Sequence, residues 1–389
     1  MTVHRLKFPV MFSFGFGQLA EAIKNSGFNV FLLFYYNQVL GVSATLTSVA
    51  LAIALMFDAV SDPLVGSFSD KLRTRFGRRH PLILMAALPL GLSFYCLFNP
   101  PSMTSDWAHF IWLLGFAILV RASLTLYHVP HLALGAELAE DYHQRSTLYA
   151  MSTFFGFLGG ALFVPVSYTL FFPTTDVFNP ALLNKAAYQP WSLMAAGLMI
   201  FAIVVCVIGT RREIPRLVQR VDSDARQLMR VSALIQEFRE AFNNRPFRAI
   251  FFGMMLSTLV LSVEGVFNPF MGFHFWGLTT EQLRWIPLAQ LVGLFLSLSL
   301  LPIMTRWLDK KRTLIVSALL VILNINIPIV LSLSGVSWFP AQGSQSLLIV
   351  LILSGLVTAI LAPIIFATLN SMFADIADEH ELDTGFRRE

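Results

Sequence analysis

Asp58 and Asp62 stand inside a long apolar run, in the stretch Asp58-Ala59-Val60-Ser61-Asp62-Pro63-Leu64-Val65-Gly66. Side chains at i and i+4 share one face of a helix. A carboxylate near the middle of a bilayer costs roughly 2.5 to 3.5 kcal/mol on insertion scales, so packing alone does not account for the pair. Two carboxylates with a side-chain hydroxyl or two form a hard oxygen shell that suits a cation such as Na+. The same pair can take up H+, because neighbouring carboxylates raise one another's pKa. The alternative is that the acids neutralise a basic residue on another helix, which is compatible with a cation site whose occupant alternates.

Three further groups of polar residues interrupt apolar runs. Arg121, Thr125 and His128 follow at steps of four and three and so share a face, directed into a bundle or a water-filled cavity. Arg121 either lines a transport path or is the fixed partner of Asp58 or Asp62, and His128 either contacts solute or is a hydrogen-bonded structural residue. His128 and His131 are too few for a transition-metal site. Glu21, Lys24, Asn25 and Asn29 form a stripe in the first apolar run, where Glu21 and Lys24 either pair with each other or meet a solute. Glu264, Asn268 and Pro269 interrupt the seventh run. Polar groups facing one another from the first, fourth and seventh runs would enclose a midplane cavity of the kind carriers use. No nucleophile with its base, no metal-ligand cluster and no phosphate-cradling loop is visible, so an enzyme is not expected, nor any cofactor beyond a coupling ion, Na+ or H+.

The elements that hold these residues are membrane helices. Of 389 residues 56% are hydrophobic and 13% charged, and the mean hydropathy of +0.68 lies outside the range of soluble domains. The apolar runs, each about 20 residues or more, can cross a hydrocarbon core only as helices. We expect ten spans, near 8–36, 45–69, 82–99, 108–138, 147–172, 190–210, 248–276, 283–305, 313–333 and 346–373. His4, Arg5 and Lys7 precede the first without a cleavage site, so it is expected to be retained. Cys96 and Cys206, the only cysteines, lie in apolar runs and support neither a disulfide framework nor a zinc site. The net charge of +4 does not imply a nucleic-acid partner, because the basic residues sit between spans. Lys71, Arg73, Arg75, Arg78 and Arg79, then Arg211, Arg212, Arg216 and Arg220, then Arg306, Lys310, Lys311 and Arg312 fall on one side, while Gly41 to Thr45 and Ser334 to Ser344 are nearly uncharged. The positive-inside rule then places both termini in the cytoplasm of a cell's inner membrane.

The polar segment 211–247 separates a six-span half, 1–210, from a four-span half, 248–389. Leu228, Val231, Ile235, Phe238 and Phe242 recur there at helical spacing, predicting an amphipathic helix. The basic run after span eight echoes the one after span two. The proportions are those of two six-helix halves joined by a central loop, the major facilitator arrangement, with the last two spans missing from the second half. Gly156 and Gly160 in span five predict one close helix contact.

Together, the second-span aspartates with Pro63 and Gly66, the following Arg75-Phe76-Gly77-Arg78-Arg79-His80-Pro81, the Val129-Pro130 run leading to Glu137 and Arg145, and the terminal stretch from Asp375 to Glu389 resemble the glycoside-pentoside-hexuronide:cation symporters. The resemblance covers essentially the whole chain, and in that family the terminal motif lies between helices ten and eleven. It implies a cation site at Asp58, Ser61 and Asp62, with Thr125 supplying the fourth-helix hydroxyl. The family's sugar-binding residues do not carry over: they fall on Ala22, His128, Leu132 and Thr153. Asp70, Arg75, Arg78 and Arg79 are similar to the facilitator loop motif between the second and third helices, which implies a state-dependent latch. The expected protein is a monomeric, cation-coupled symporter of a small polar solute, a sugar or glycoside, working by alternating access. Glu21, Lys24, Asn25, Arg121, His128, Thr153 and Glu264 are candidates to line its solute site. A lysolipid or amphiphile carrier, or an uncoupled uniporter, is the alternative on the same fold.

Overall fold

The computed structural model describes residues 6–139, 142–220, 242 and 245–384. The amphipathic helix expected around Leu228 to Phe238, the acids Glu140 and Asp141, and the chain beyond Thr384 lie outside those residues. The described elements are helical. α1, Phe8–Ser26, starts with a proline in its first turn and runs on through π-helical turns at Gly27–Leu32 and Tyr35–Val39. Gly41, at φ 73°, ends it in a conformation that glycine adopts without strain. α2 (Ala44–Lys71), α3 (His80–Leu97), α4 (Asp106–Leu138), α5 (Tyr142–Leu170) and α6 (Tyr188–Thr210) follow, then the short α7 (Ile214–Arg220). Ser105 caps α4, its hydroxyl accepting from the Ala108 amide at 3.2 Å. Prolines 63, 89, 130 and 165 sit inside α2 to α5, as membrane helices tolerate where neighbouring groups satisfy the freed carbonyls.

The chain falls into two compact units, Met1–Ala225 and Arg226–Glu389. In the first, α1 packs on α5 and α6, α3 on α4 and α6, and α2 on α4. Aromatic rings close one end of this bundle around the fully buried Trp191, whose ring lies 4.5 Å from Phe31 and 4.8 Å from Phe98. Its indole N–H donates to Ser167 Oγ at 2.8 Å, so the one polar atom in this apolar cluster is satisfied. Close approach of α1 and α5 depends on glycine. A Cβ at Gly159 would stand 2.7 Å from Leu19 and 3.0 Å from Ala22, whereas one at Gly160 would meet only Ser26 at 3.9 Å. Of the expected step, Gly156 is close to α1, a Cβ there standing 3.2 Å from Gln18 Cγ, while the second close position is Gly159 and not Gly160.

The second unit contains α8 (Arg245–Phe270, continuing as π-helical Met271–Phe275), α9 (Thr280–Leu283), α10 (Trp285–Leu333) and α11 (Gln345–Thr384). α8 and α10 pack on α11, with Ile250, Val321, Leu361, Ile365 and Leu369 at the core. Asn324 on α10 donates to Ser354 O at 2.8 Å and Thr358 Oγ1 at 3.0 Å on α11, a polar link of the sort that joins helices in lipid. The expected spans eight and nine are two helices that meet at a sharp turn at Asp309, across which Thr313 Oγ1 donates to Met304 O at 3.1 Å. The run between them holds helix-forming Arg, Leu and Lys and neither Gly nor Pro, so helix persists up to a single break at Asp309 (φ 62°, ψ 163°).

Eight helical stretches among the described residues are long and apolar enough to cross a membrane, and Thr280–Leu333 exceeds twice the length of one crossing. The chain is a multi-pass membrane protein. Gly159→Val is expected to push α1 from α5 and lower stability by about 1–3 kcal/mol. Gly115→Ala, where nothing lies within 4 Å, is expected to leave stability unchanged or slightly raised. Thermal melting of the purified variants checks both.

Candidate functional site

Helices α2 and α4 face each other along two polar contacts. The Arg121 guanidinium donates to Asp58 Oδ2, and Thr125 Oγ1 donates to Asp62 Oδ1 at 2.7 Å. The spacing of four residues on both helices lines up the two pairs, one turn apart. Arg121 is thus the fixed partner of Asp58, one of the two roles open to it in the sequence. Its pairing uses only one carboxylate oxygen: Asp58 Oδ1 is buried and has no hydrogen-bond partner. No ion pair joins Asp62 among the described residues. Ser61 is buried, and its hydroxyl reaches its own helix at Asp58 O, 3.5 Å away. No three His, Cys, Asp or Glu side chains among the described residues are grouped to hold a metal. A cation at these two carboxylates would therefore draw its remaining oxygens from hydroxyls or backbone.

The α1 stripe meets the same region. Glu21 Oε2 lies 2.9 Å from His128 Nδ1 on α4 and accepts from Gln18 Nε2. Gln18 Oε1 in turn accepts from Ser152 on α5 at 3.1 Å. Asn25 reaches Glu21 at 3.5 Å and Lys24 at 3.4 Å. Lys24 is only 5% exposed, a depth at which an ammonium requires nearby counter-charges. It interacts electrostatically with Glu21, Asp58, Asp62 and Arg121. Phe28 gathers the cations: Lys24 Nζ stands 4.6 Å and the Arg121 guanidinium 5.5 Å from its ring centroid. The cluster thus holds three carboxylates, Glu21, Asp58 and Asp62, and, with both basic side chains protonated, two cations, Lys24 and Arg121. With His128 neutral it carries one uncompensated negative charge. His131 belongs to the packing instead, its Nε2 3.0 Å from Phe14 O and its ring stacked on Phe14 at 4.2 Å.

At the other end of α2, the Arg79 side chain, 7% exposed, bonds Ser69 and Asp70 and lies 3.0 Å from Glu137 on α4. Arg78 reaches the same Glu137 oxygen at 3.1 Å. The expected group of Asp70, Arg78 and Arg79 is assembled, but Arg75 is not part of it. Its exposed guanidinium lies over the Phe76 ring at 4.8 Å, because the turn at Gly77 (φ 82°) separates it from Arg78 and Arg79. Glu137 is the member that residue spacing did not reveal.

Two candidates remain. Thr153 is exposed on α5, next to the Ser152 that bonds Gln18. Glu264 is half-buried on α8 in the second unit, with no ion pair among the described residues. Gln18 and Phe28 were missed, although both continue the spacing of Glu21 and Asn25 on one face of α1. Removing Arg79 leaves Glu137 with Arg78 and takes the partner from the buried Ser69 hydroxyl, so Arg79→Gln is expected to cost about 1–3 kcal/mol in thermal or denaturant unfolding. Arg75→Gln should change stability by no more than about 0.5 kcal/mol.

The sequence pattern of the MFS/sugar transport protein family matches residues 13–389. An uncharacterized symporter of Synechocystis sp. is 31% identical over 176 residues, covering 44% of this chain and 32% of that relative. A glucuronide carrier protein homolog of Escherichia coli is 25% identical over 323 residues, covering 81% of this chain and 66% of the relative. The chain thus spans less than two thirds of the length of either. The crystal structure of the nucleoside transporter NupG superposes with a TM-score of 0.61 at 14% identity, over 95% of this chain and 83% of that one, a likeness of fold. These proteins are transporters, not enzymes. The chain belongs to the MFS/sugar transport protein family, within the major facilitator superfamily.

Proposed function

We propose that this chain is the greater part of a sodium-coupled symporter for a small polar solute of the sugar or glycoside class, with Na+ held at Asp62, Asp58 Oδ1 and Thr125 Oγ1. The observation that carries this reading is the unbalanced charge: three carboxylates meet two cations, and the buried Asp58 Oδ1 has no partner. One monovalent cation removes the imbalance and satisfies the orphaned oxygen. Thr125 donates its proton to Asp62, which leaves its oxygen lone pairs for the ion. A proton would neutralise the charge equally well, but it needs only one or two of the oxygens gathered here. Ser61 completes the shell only if its hydroxyl turns from Asp58 O.

The symporter and glucuronide-carrier names of the two relatives support a sugar-like solute. Lys24, Asn25, Arg121 and His128 are the solute-lining candidates beside Glu21, with Thr153 and Glu264 as further ones. Asp70, Arg78 and Arg79 act with Glu137 as a latch that closes the cytoplasmic end of one state. The halves 1–210 and 248–389 alternate access, and both ends of this chain lie in the cytoplasm, on the side of the basic connections.

Thermal stabilisation and uptake by the full-length protein, with and without Na+, test the reading. Wild type is expected to be stabilised by Na+, and Asp62→Asn to lose that response. Asp58→Asn should weaken it at least about tenfold, because Arg121 then stands unpaired beside the ion. A response to pH but not to Na+ would assign the site to H+. Uptake indifferent to both, with silent aspartate variants, would mean an uncoupled carrier and purely structural acids.

A further inference from the structure

We propose that Glu21 and His128 form a proton-binding site, separate from the two aspartates, whose proton and the coupling Na+ exclude one another. The inference rests on the sodium reading above. Its basis is the same charge count. The imidazole is the one side chain of the cluster whose ordinary titration range spans neutral pH. His128 Nδ1 is buried and stands 2.9 Å from Glu21 Oε2, so a proton taken up by the ring remains beside a carboxylate. When His128 is neutral the cluster has one surplus negative charge and attracts a cation to Asp62. When it is protonated, three cations balance three carboxylates and that attraction is gone.

Charged and titratable neighbours come from every helix packed against the pair. On α1 the charged neighbours are Glu21 and Lys24, and on α2 they are Asp58 and Asp62. On α4, Arg121 is committed to Asp58, while Tyr127 and His131 are fully buried in packing. His131 spends Nε2 on Phe14 O. From α5, Ser152 acts only through Gln18, and Tyr149 spends its hydroxyl on Leu132 O. From α6, the buried Cys206 approaches Gly17 rather than the pair. The Gln18 and Asn25 amides hold Glu21 in place, so its carboxylate faces the imidazole whether or not the ring is charged.

Binding linkage makes the exclusion reciprocal: a proton that weakens Na+ binding is released by Na+ by the same factor. The test measures Na+ affinity of the full-length protein by thermal shift at about pH 8 and about pH 6. In wild type the apparent Kd for Na+ should rise at least about fivefold on acidification. His128→Gln should hold it within about twofold across the same range, near the tighter value. His128→Lys, charged throughout, should bind as weakly at the higher pH as wild type does at the lower. Proton release on adding NaCl to weakly buffered protein gives a second readout, present in wild type and absent in His128→Gln. If His128→Gln keeps the full pH dependence or releases as many protons, the competing proton resides on Asp58, Asp62 or Lys24 and the inference is overturned. If wild type responds to Na+ equally at both pH values, the inference is overturned while the sodium site stands. No response to Na+ at any pH removes both.

Discussion

Every charge inside an apolar helical bundle must be answered by another charge or by hydrogen bonds, because the surroundings offer neither water nor counter-ions. That constraint organises the first unit. Lys24 is buried to 5% exposure, which is sustainable only with carboxylates close by. Asp58 binds Arg121, Glu21 meets His128, and Asp62 takes a hydroxyl proton from Thr125. Each of these contacts crosses between helices. The same pairs that balance charge therefore fix the register of α4 against α1 and α2.

The apolar part of the bundle allows those registers. Gly159 lets α5 close on Leu19 and Ala22, which flank Glu21 on α1. The Trp191 cluster anchors the far end of α1, where π-helical turns begin at Gly27 and carry Phe31 and Tyr35 into the aromatic core. Between the glycine contact and this aromatic plug, the chain from Gln18 to Phe28 has its polar face directed at α4 and α5. Precise placement of Phe28 matters because its ring is within cation–π reach of both Lys24 and Arg121, cations that would otherwise only repel.

What could be read from the sequence was whatever depends on local periodicity. The i, i+4 aspartates, the Arg121-Thr125-His128 face and the Glu21-Lys24-Asn25 stripe are short-range patterns, and the structure brings all three together. The apolar runs gave the helices for the same reason. Choices between partners were not legible, because they depend on how helices rotate about one another. The sequence left Arg121 open between a solute path and either aspartate, and helix packing selects Asp58. Glu137 lies 58 residues from Arg79 and has no periodic relation to it. Gly159 and Gly160 are adjacent and chemically identical, so only the rotation of α5 against α1 decides which one makes the close contact. At Asp309 the charged run connects two spans as its composition suggests, and local propensity confines the turn to that one residue.

The α2–α4 pair carries polar contacts at two levels, and their separation gives the bundle a mechanical consequence. Asp62 and Asp70 are eight residues apart, about 12 Å along a helix. Asp62 meets α4 directly through Thr125, and Asp70 reaches it through Arg79 to Glu137. Thr125 and Glu137 are twelve residues apart on α4, about 18 Å. The two contacts thus lie on the same pair of helices, each interrupted by a proline between the two levels, Pro63 on α2 and Pro130 on α4. An ion bound between Asp58 and Asp62 would tie α2 more firmly to Thr125, while loss of the ion leaves like charges facing each other one turn apart. The two levels are therefore separate contacts between the same two helices, and the prolines between them give each helix a place to bend.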